Sequence, residues 1–214
     1  MKAGITGFRG SKKKGLAMIE RVAQEGNWSR DDAKTLLIVL YTREKRYPEA
    51  LGHARDLMAK YPRNYLFRLE AADALVSQAE VERKNKNIEA AVKAEREAFA
   101  TFEDLLHDRT VRDTVSRALD LVHFKYGEVL LTAGEGERAA KEFLAATRVE
   151  HAEPTLVTMA HLYAARAFDL AGKRDDALAQ YREVLTRPDI YAAHDEAKKG
   201  LQKPFKPEIA SSGM

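Results

Sequence analysis

The chain has 214 residues, 45% of them hydrophobic and 32% charged, and its 36 basic side chains against 33 acidic ones leave a formal net charge of +3. That is enough apolar material for a continuous core, and length alone allows one or two domains. With no cysteine in the sequence, disulfides, thiolate metal sites and cysteine nucleophiles are excluded; the longest apolar run, Leu36 to Tyr41, is far short of the roughly 20 residues that span a bilayer, so no transmembrane helix is expected.

Met1 to Gly10 contains Gly-bearing turns and no apolar stretch of the signal-peptide kind. Ser11 to Gln24 is amphipathic, with Leu16, Ile19, Val22 and Ala23 on one face. It reads as the second helix of a hairpin whose first helix is missing, so residues 11–26 are taken as a half-repeat. The chain is therefore expected to be cut from a longer protein, with Met1 supplied by cloning and any targeting signal lost with the cut.

Ser29 followed by Asp32 is spaced as a capping box and predicts a helix start. Pro48 falls in the first turn of the next helix, where its missing N–H costs nothing, and Asn64 is placed to cap the helix that follows Tyr61-Pro62-Arg63. These signals delimit a helical hairpin over 29–64. Tyr65 to about Arg83 and Ile88 to His107 carry apolar residues at a period near 3.6 and predict two unusually long helices joined by the polar turn Asn85-Lys86-Asn87. This hairpin, 65–107, is expected to protrude beyond its neighbours.

Arg109-Thr110 turns the chain, Thr110 and Asp113 have capping-box spacing, and one long helix is expected to run on to Thr132. Hairpins follow over 111–151 and 154–188. After Pro188-Asp189, a short charged helix at 190–201 is expected to cap the array. Lys203-Pro204-Phe205-Lys206-Pro207 cannot be helical throughout, because two prolines fix φ and remove donors. Residues 204–214 are read as a mobile tail, with docking of the Pro-Phe-Lys-Pro core as the alternative.

Two of these hairpins repeat one sparse pattern. Counting from Asp120, positions 7, 8, 11, 15, 20, 24 and 27 hold Tyr126, Gly127, Leu130, Gly134, Ala139, Phe143 and Ala146; counting from Thr158, they hold Ala164, Ala165, Phe168, Gly172, Ala177, Tyr181 and Val184. A third unit, counted from Asp31, places Leu37, Tyr41, Tyr47, Ala50, Leu57 and Pro62 similarly, but with Ile38 at position 8 and Ala54 at position 24. Small residues let antiparallel helices approach, so Gly127 opposite Ala139, and Ala165 opposite Ala177, are expected to mark the helix crossings. A single hairpin leaves an apolar face in water, and stacking covers it.

The pattern resembles the tetratricopeptide repeat (TPR), a helix-turn-helix unit of about 34 residues. The resemblance covers 31–64 and 120–189 well, and the remaining hairpin and half-repeat only as helices. The opening glycines and the Tyr61 to Glu70 stretch are also similar to divergent TPR proteins, both bacterial ones and the family that includes mitochondrial outer-membrane-associated and metazoan members. It implies an all-α, right-handed superhelical solenoid of about nine to ten helices forming a single domain over 1–203.

The resemblance also implies a role in protein–protein interaction without catalysis, through a groove lined by the first helix of each hairpin. Its groove positions map onto Thr35, Val39 and Arg43, then Leu69 and Asp73, then Phe124 and Glu128, then Leu162, Arg166 and Asp169. Such a wall suits an amphipathic helix or an extended apolar segment; packing against neighbouring helices is the other account of Leu69 and Leu162. The pattern by which TPR adaptors hold a chaperone's C-terminal carboxylate is not met, since Thr35, Val39 and Glu70 stand where basic or amide side chains are needed.

No phosphate-binding loop, metalloprotease helix motif or nucleophile elbow is present, and no cofactor or metal is expected. His123 and His161 occupy equivalent positions, where packing with a polar edge is preferred to metal ligation. Asp31-Asp32 and Asp175-Asp176 fit helix starts. Lys12-Lys13-Lys14, Lys198, Lys199, Lys203 and Lys206 are local clusters in a balanced chain, so nucleic acid is not the expected partner. The expected function is a scaffold or adaptor that binds a protein or peptide, cytoplasmic or periplasmic. The alternative is an accessory or oligomerisation domain of a larger enzyme or secretion or envelope assembly, in which homo-oligomers would form.

Overall fold

The computed structural model describes residues 12–207, apart from the side chains of Arg112 and Asp113. The glycine turns before Ser11, the Asp113 side chain of the Thr110–Asp113 box, and the chain from Glu208 onward, with Ser211, Ser212 and Gly213, lie outside the described residues. The protein is all-α, with no strand among the described residues. Its helices are α1 (Lys12–Glu25), α2 (Arg30–Arg43), α3 (Tyr47–Lys60), α4 (Tyr65–Lys84), α5 (Ile88–His107), the single turn α6 (Arg112–Val115), α7 (Leu119–Thr132), α8 (Gly136–Ala146), α9 (Pro154–Leu170), α10 (Arg174–Leu185) and α11 (Ala193–Gln202). Among the described residues, no helix is long and apolar enough to cross a membrane.

Two compact units divide at Thr101 and Phe102, within α5. In the first, α1 packs on α2, α2 on α3 and α3 on α4, and α2 also reaches α4. Its core gathers Leu37, Ile38, Ala50, Leu57, Leu75 and Ala98, with Leu16 and Ile19 of α1 packed against it. In the second unit each helix from α7 to α11 packs on the next, while α7 also meets α9 and α9 meets α11. Contact with both the next helix and the next but one is what stacked hairpins produce.

Four turns share one geometry. Lys45, Lys86, Gly134 and Gly172 all have positive φ, of 61°, 62°, 85° and 73°. At each, two N–H groups bond back to the closing helix: Gly134 to Leu131 and Glu135 to Leu130, for example, at 3.1 and 2.8 Å. These bonds satisfy carbonyls that a helix end otherwise leaves without partners. Two of the four turns use glycine, which adopts this conformation without strain.

The shared turn sets the register of the long hairpin. Aligned on Lys86, Ala79, Ala91 and Ala98 take the places held by Gly127, Ala139 and Ala146 in the α7–α8 pair. Ala91 and Ala98 are fully buried, as are Ala50, Ala139 and Ala177 in the other pairs. Counted from this turn, α4 begins about two turns earlier and α5 ends about two turns later than the corresponding helices of the α7–α8 pair.

Local details differ from the sequence expectation in three places. Ser29 precedes α2, but its side chain makes no capping hydrogen bond. The helix expected up to Thr132 is interrupted by a 3-10 turn at Ser116–Ala118; β-branched Val111, Thr114 and Val115 weaken the preceding turn, and the Thr114 hydroxyl donates to the Val111 carbonyl at 2.8 Å. The last helix starts at Ala193 rather than Ile190, because Tyr191 and Ala192 both take positive φ, 51° and 59°. As expected, Pro48 lies in the first turn of α3, and Asn64 caps α4 by accepting from the Leu66 N–H at 3.1 Å.

Candidate functional site

The ten candidate groove residues do not share one environment. On α2, Val39 and Arg43 are exposed and lie on one face with the exposed Leu36. Thr35 is half-buried and spends its hydroxyl on the Asp31 carbonyl of its own helix, 2.9 Å away. Asp73 and Glu128 are half-buried. Leu69, Phe124 and Leu162 are buried, so what these three offer is packing.

Phe124 makes edge contacts with Phe143 and Tyr163, centroids 5.4 Å apart in both cases. Leu162 belongs to the core formed with Ala165, Ala177, Tyr181 and Val184. Leu69, in the first two turns of α4, is 6% exposed.

Arg166 and Asp169 lie next to each other on α9 and are already engaged. The Asp169 side chain is fully covered, with one oxygen 2.8 Å from the Arg174 guanidinium. Its other oxygen accepts from the Tyr181 hydroxyl at 2.9 Å and from the Phe205 backbone N–H at 2.8 Å. Arg166 bonds Glu196 at 2.8 Å, and its guanidinium carbon lies 5.2 Å from the Tyr163 ring centroid and 5.3 Å from that of Phe205. Arg174 also donates to the carbonyls of Gly200 and Leu201, at 2.7 and 3.1 Å, closing the C-terminus of α11.

This tyrosine–carboxylate–arginine node recurs. The Tyr41 hydroxyl donates to Glu20 at 2.7 Å, with Arg46 bonding the same carboxylate at 3.0 Å and stacking over the Tyr41 ring. Tyr126 donates to Glu103 at 2.9 Å, and Arg138 donates to the Tyr126 oxygen. Burial, and then the carboxylate partner, push the Tyr41 phenol up to about 12 and the Tyr126 and Tyr181 phenols higher still. The three tyrosines occupy different repeat positions, so no spacing in the sequence announces the node.

The two equivalent histidines also form matching contacts. His123 Nδ1 lies 2.7 Å from Glu142, and His161 Nδ1 lies 2.8 Å from Gln180. Recurrence with an amide in place of the carboxylate marks a clamp between paired helices. Burial holds the His161 ring below its usual pKa, an effect opposed by the Gln180 bond and assisted by Arg187. A cleft of about 530 Å³ lies beside His123, between Leu106, His107, Val115 and Glu142. Among the described residues, no group of three or more His, Asp or Glu is arranged to hold a metal ion.

The expected charge placements are also found. Asp31 and Asp32 stand in the first turn of α2, and Asp175 and Asp176 in that of α10. Of the lysine clusters, Lys12 pairs with Glu44, Lys198 with Asp195 and Lys199 with Glu196. Compared with known proteins, the chain matches no family model and no curated protein.

Proposed function

We propose that this protein is a non-catalytic interaction module of the TPR kind, in which stacked helical hairpins form a solenoid whose first helices present a peptide-binding surface. The observation that carries this reading is the shared turn at Lys45, Lys86, Gly134 and Gly172, which sets four helix pairs in one register with a fully buried alanine at the same place in each. Helix pairs repeated in this way supply a regular frame on which exposed positions vary. Exposed Leu36, Val39 and Arg43 on α2 combine apolar surface with a charge, which suits an amphipathic helix or an extended segment.

A peptide-display selection against the full chain tests the reading. Enriched sequences are expected to bind in titration, and Val39→Glu together with Arg43→Glu, or Glu128→Lys, is expected to weaken them while helicity is retained. A selection that enriches no sequence, or binding indifferent to all of these substitutions, overturns it. Light scattering separates the alternative: a monomer is expected of an adaptor, whereas a dimer that persists on dilution favours an oligomerisation domain.

A further inference from the structure

The segment after α11 lies across a surface that the interaction reading assigns to a partner. Beyond Gln202 the backbone is extended, with Lys203 at φ −143° and ψ 134°, and Pro204 and Pro207 keep it so by fixing φ and removing two donors. An extended strand of this kind has no helical acceptor for its remaining N–H groups, and the Phe205 N–H is taken up by Asp169 at 2.8 Å. The half-buried Phe205 ring sits 5.3 Å from the Arg166 guanidinium. A cleft of about 280 Å³ remains beside it, between Arg166, Tyr181, Glu196 and the segment itself.

These contacts are those of a bound peptide. One backbone donor reaches a preset carboxylate, one aromatic ring meets a cation, and proline pre-orders the strand so that little chain entropy is lost on docking. Asp169 and Arg166 are themselves held in place by Arg174, Tyr181 and Glu196, so the receiving groups are fixed independently of the segment. Among the described residues, the segment is anchored by the Phe205 N–H bond to Asp169 and by the Phe205 ring beside Arg166.

Building on the proposed function, we propose that the Arg166–Asp169 face of α9 binds an extended partner segment with an aromatic residue directly after proline, and that Pro204–Phe205 is an internal copy of that ligand which competes for the face. The surface is then partly self-occupied, and a partner's apparent affinity falls by the fraction of molecules in which the segment is docked.

The test uses a fluorescently labelled peptide copying Gln202 to Pro207 and the full chain carrying Phe205→Ala. The peptide is expected to bind this variant about tenfold more tightly than the unaltered chain, the gain that follows when the segment is docked in about nine molecules in ten. A peptide with alanine in place of its phenylalanine, and the variant with Arg166→Ala added, are each expected to lose that binding; the altered peptide guards against a protein variant that fails to fold. Peptide that binds neither chain, or binds both equally, overturns the proposal. Display-selected peptides that bind regardless of Phe205→Ala would also overturn it while leaving the general interaction reading intact.

Discussion

Gly127 of α7 lies directly against the ring of Phe143 of α8: a β-carbon built on Gly127 falls 2.8 Å from two of the ring's carbons. The contact refines the expectation that Gly127 faces Ala139. Small residues occur on both helices, but the volume that glycine leaves empty is filled by the aromatic ring. Gly200 of α11 stands in the same relation to the ring of Tyr181.

Gly127→Ala is therefore expected to destabilise the fold. Overpacking of a filled core costs about 1–3 kcal/mol, and the gain in helix propensity from glycine to alanine offsets about 1 kcal/mol. Gly52, in the middle of α3, has nothing within 4 Å of its built β-carbon, so Gly52→Ala is expected to stabilise by about 0.5–1 kcal/mol. Thermal melts followed by circular dichroism test the pair, and shifts of the same sign would contradict the packing account.

Asp169 is expected to be the most sensitive polar position of the second unit. Its side chain is fully covered while that of Arg174 is 30% exposed. Asp169→Asn leaves Arg174 without its anion, and because that cation is partly hydrated the expected cost is about 2 kcal/mol, below the range for a wholly buried pair. Tyr181→Phe, which removes one hydroxyl donor, is expected to cost about 1 kcal/mol. Urea denaturation measures both, and equal losses would show that the ion pair adds nothing to the node.

Stability is expected to decline on mild acidification because of His161. Burial is the main reason its ring is held below the ordinary histidine value of about 6.5, and His53 is lowered in the same sense by burial and by Lys34. The unfolded chain therefore binds protons first as the pH falls. The contribution of the neutral rings is complete above the unfolded value of about 6.5 and is lost as the pH falls through it towards the folded pKa values. Denaturation at pH 7.5 and 5.5 should reveal the loss, and His161→Gln should reduce the difference between the two; an unchanged difference would rule out His161 as its source.

Much of the architecture was legible in the sequence because it depends on neighbours in the chain. The apolar period near 3.6 marked the helices, Asn64 and Pro48 marked helix starts, and Gly134 and Gly172, at one position of the repeated pattern, fall at two of the shared turns. The polar run Asn85-Lys86-Asn87 marked a third, whereas the turn at Lys45 carries no such mark, and the positive φ that both lysines adopt is not announced by their side chains. The polar node at Asp169 was equally hidden, since its tyrosine lies 12 residues away and its backbone donor 36.

Local chemistry was enough to specify helices joined by short turns, since periodicity, capping and turn residues act over a few positions. Which apolar side chains are covered emerges only from packing. Leu69, Phe124 and Leu162 are buried, Leu36 and Val39 are exposed, and Phe205 is tied to α9. Burial depends on which distant segment comes to rest on a helix face, and a helix's own periodicity carries no record of that neighbour.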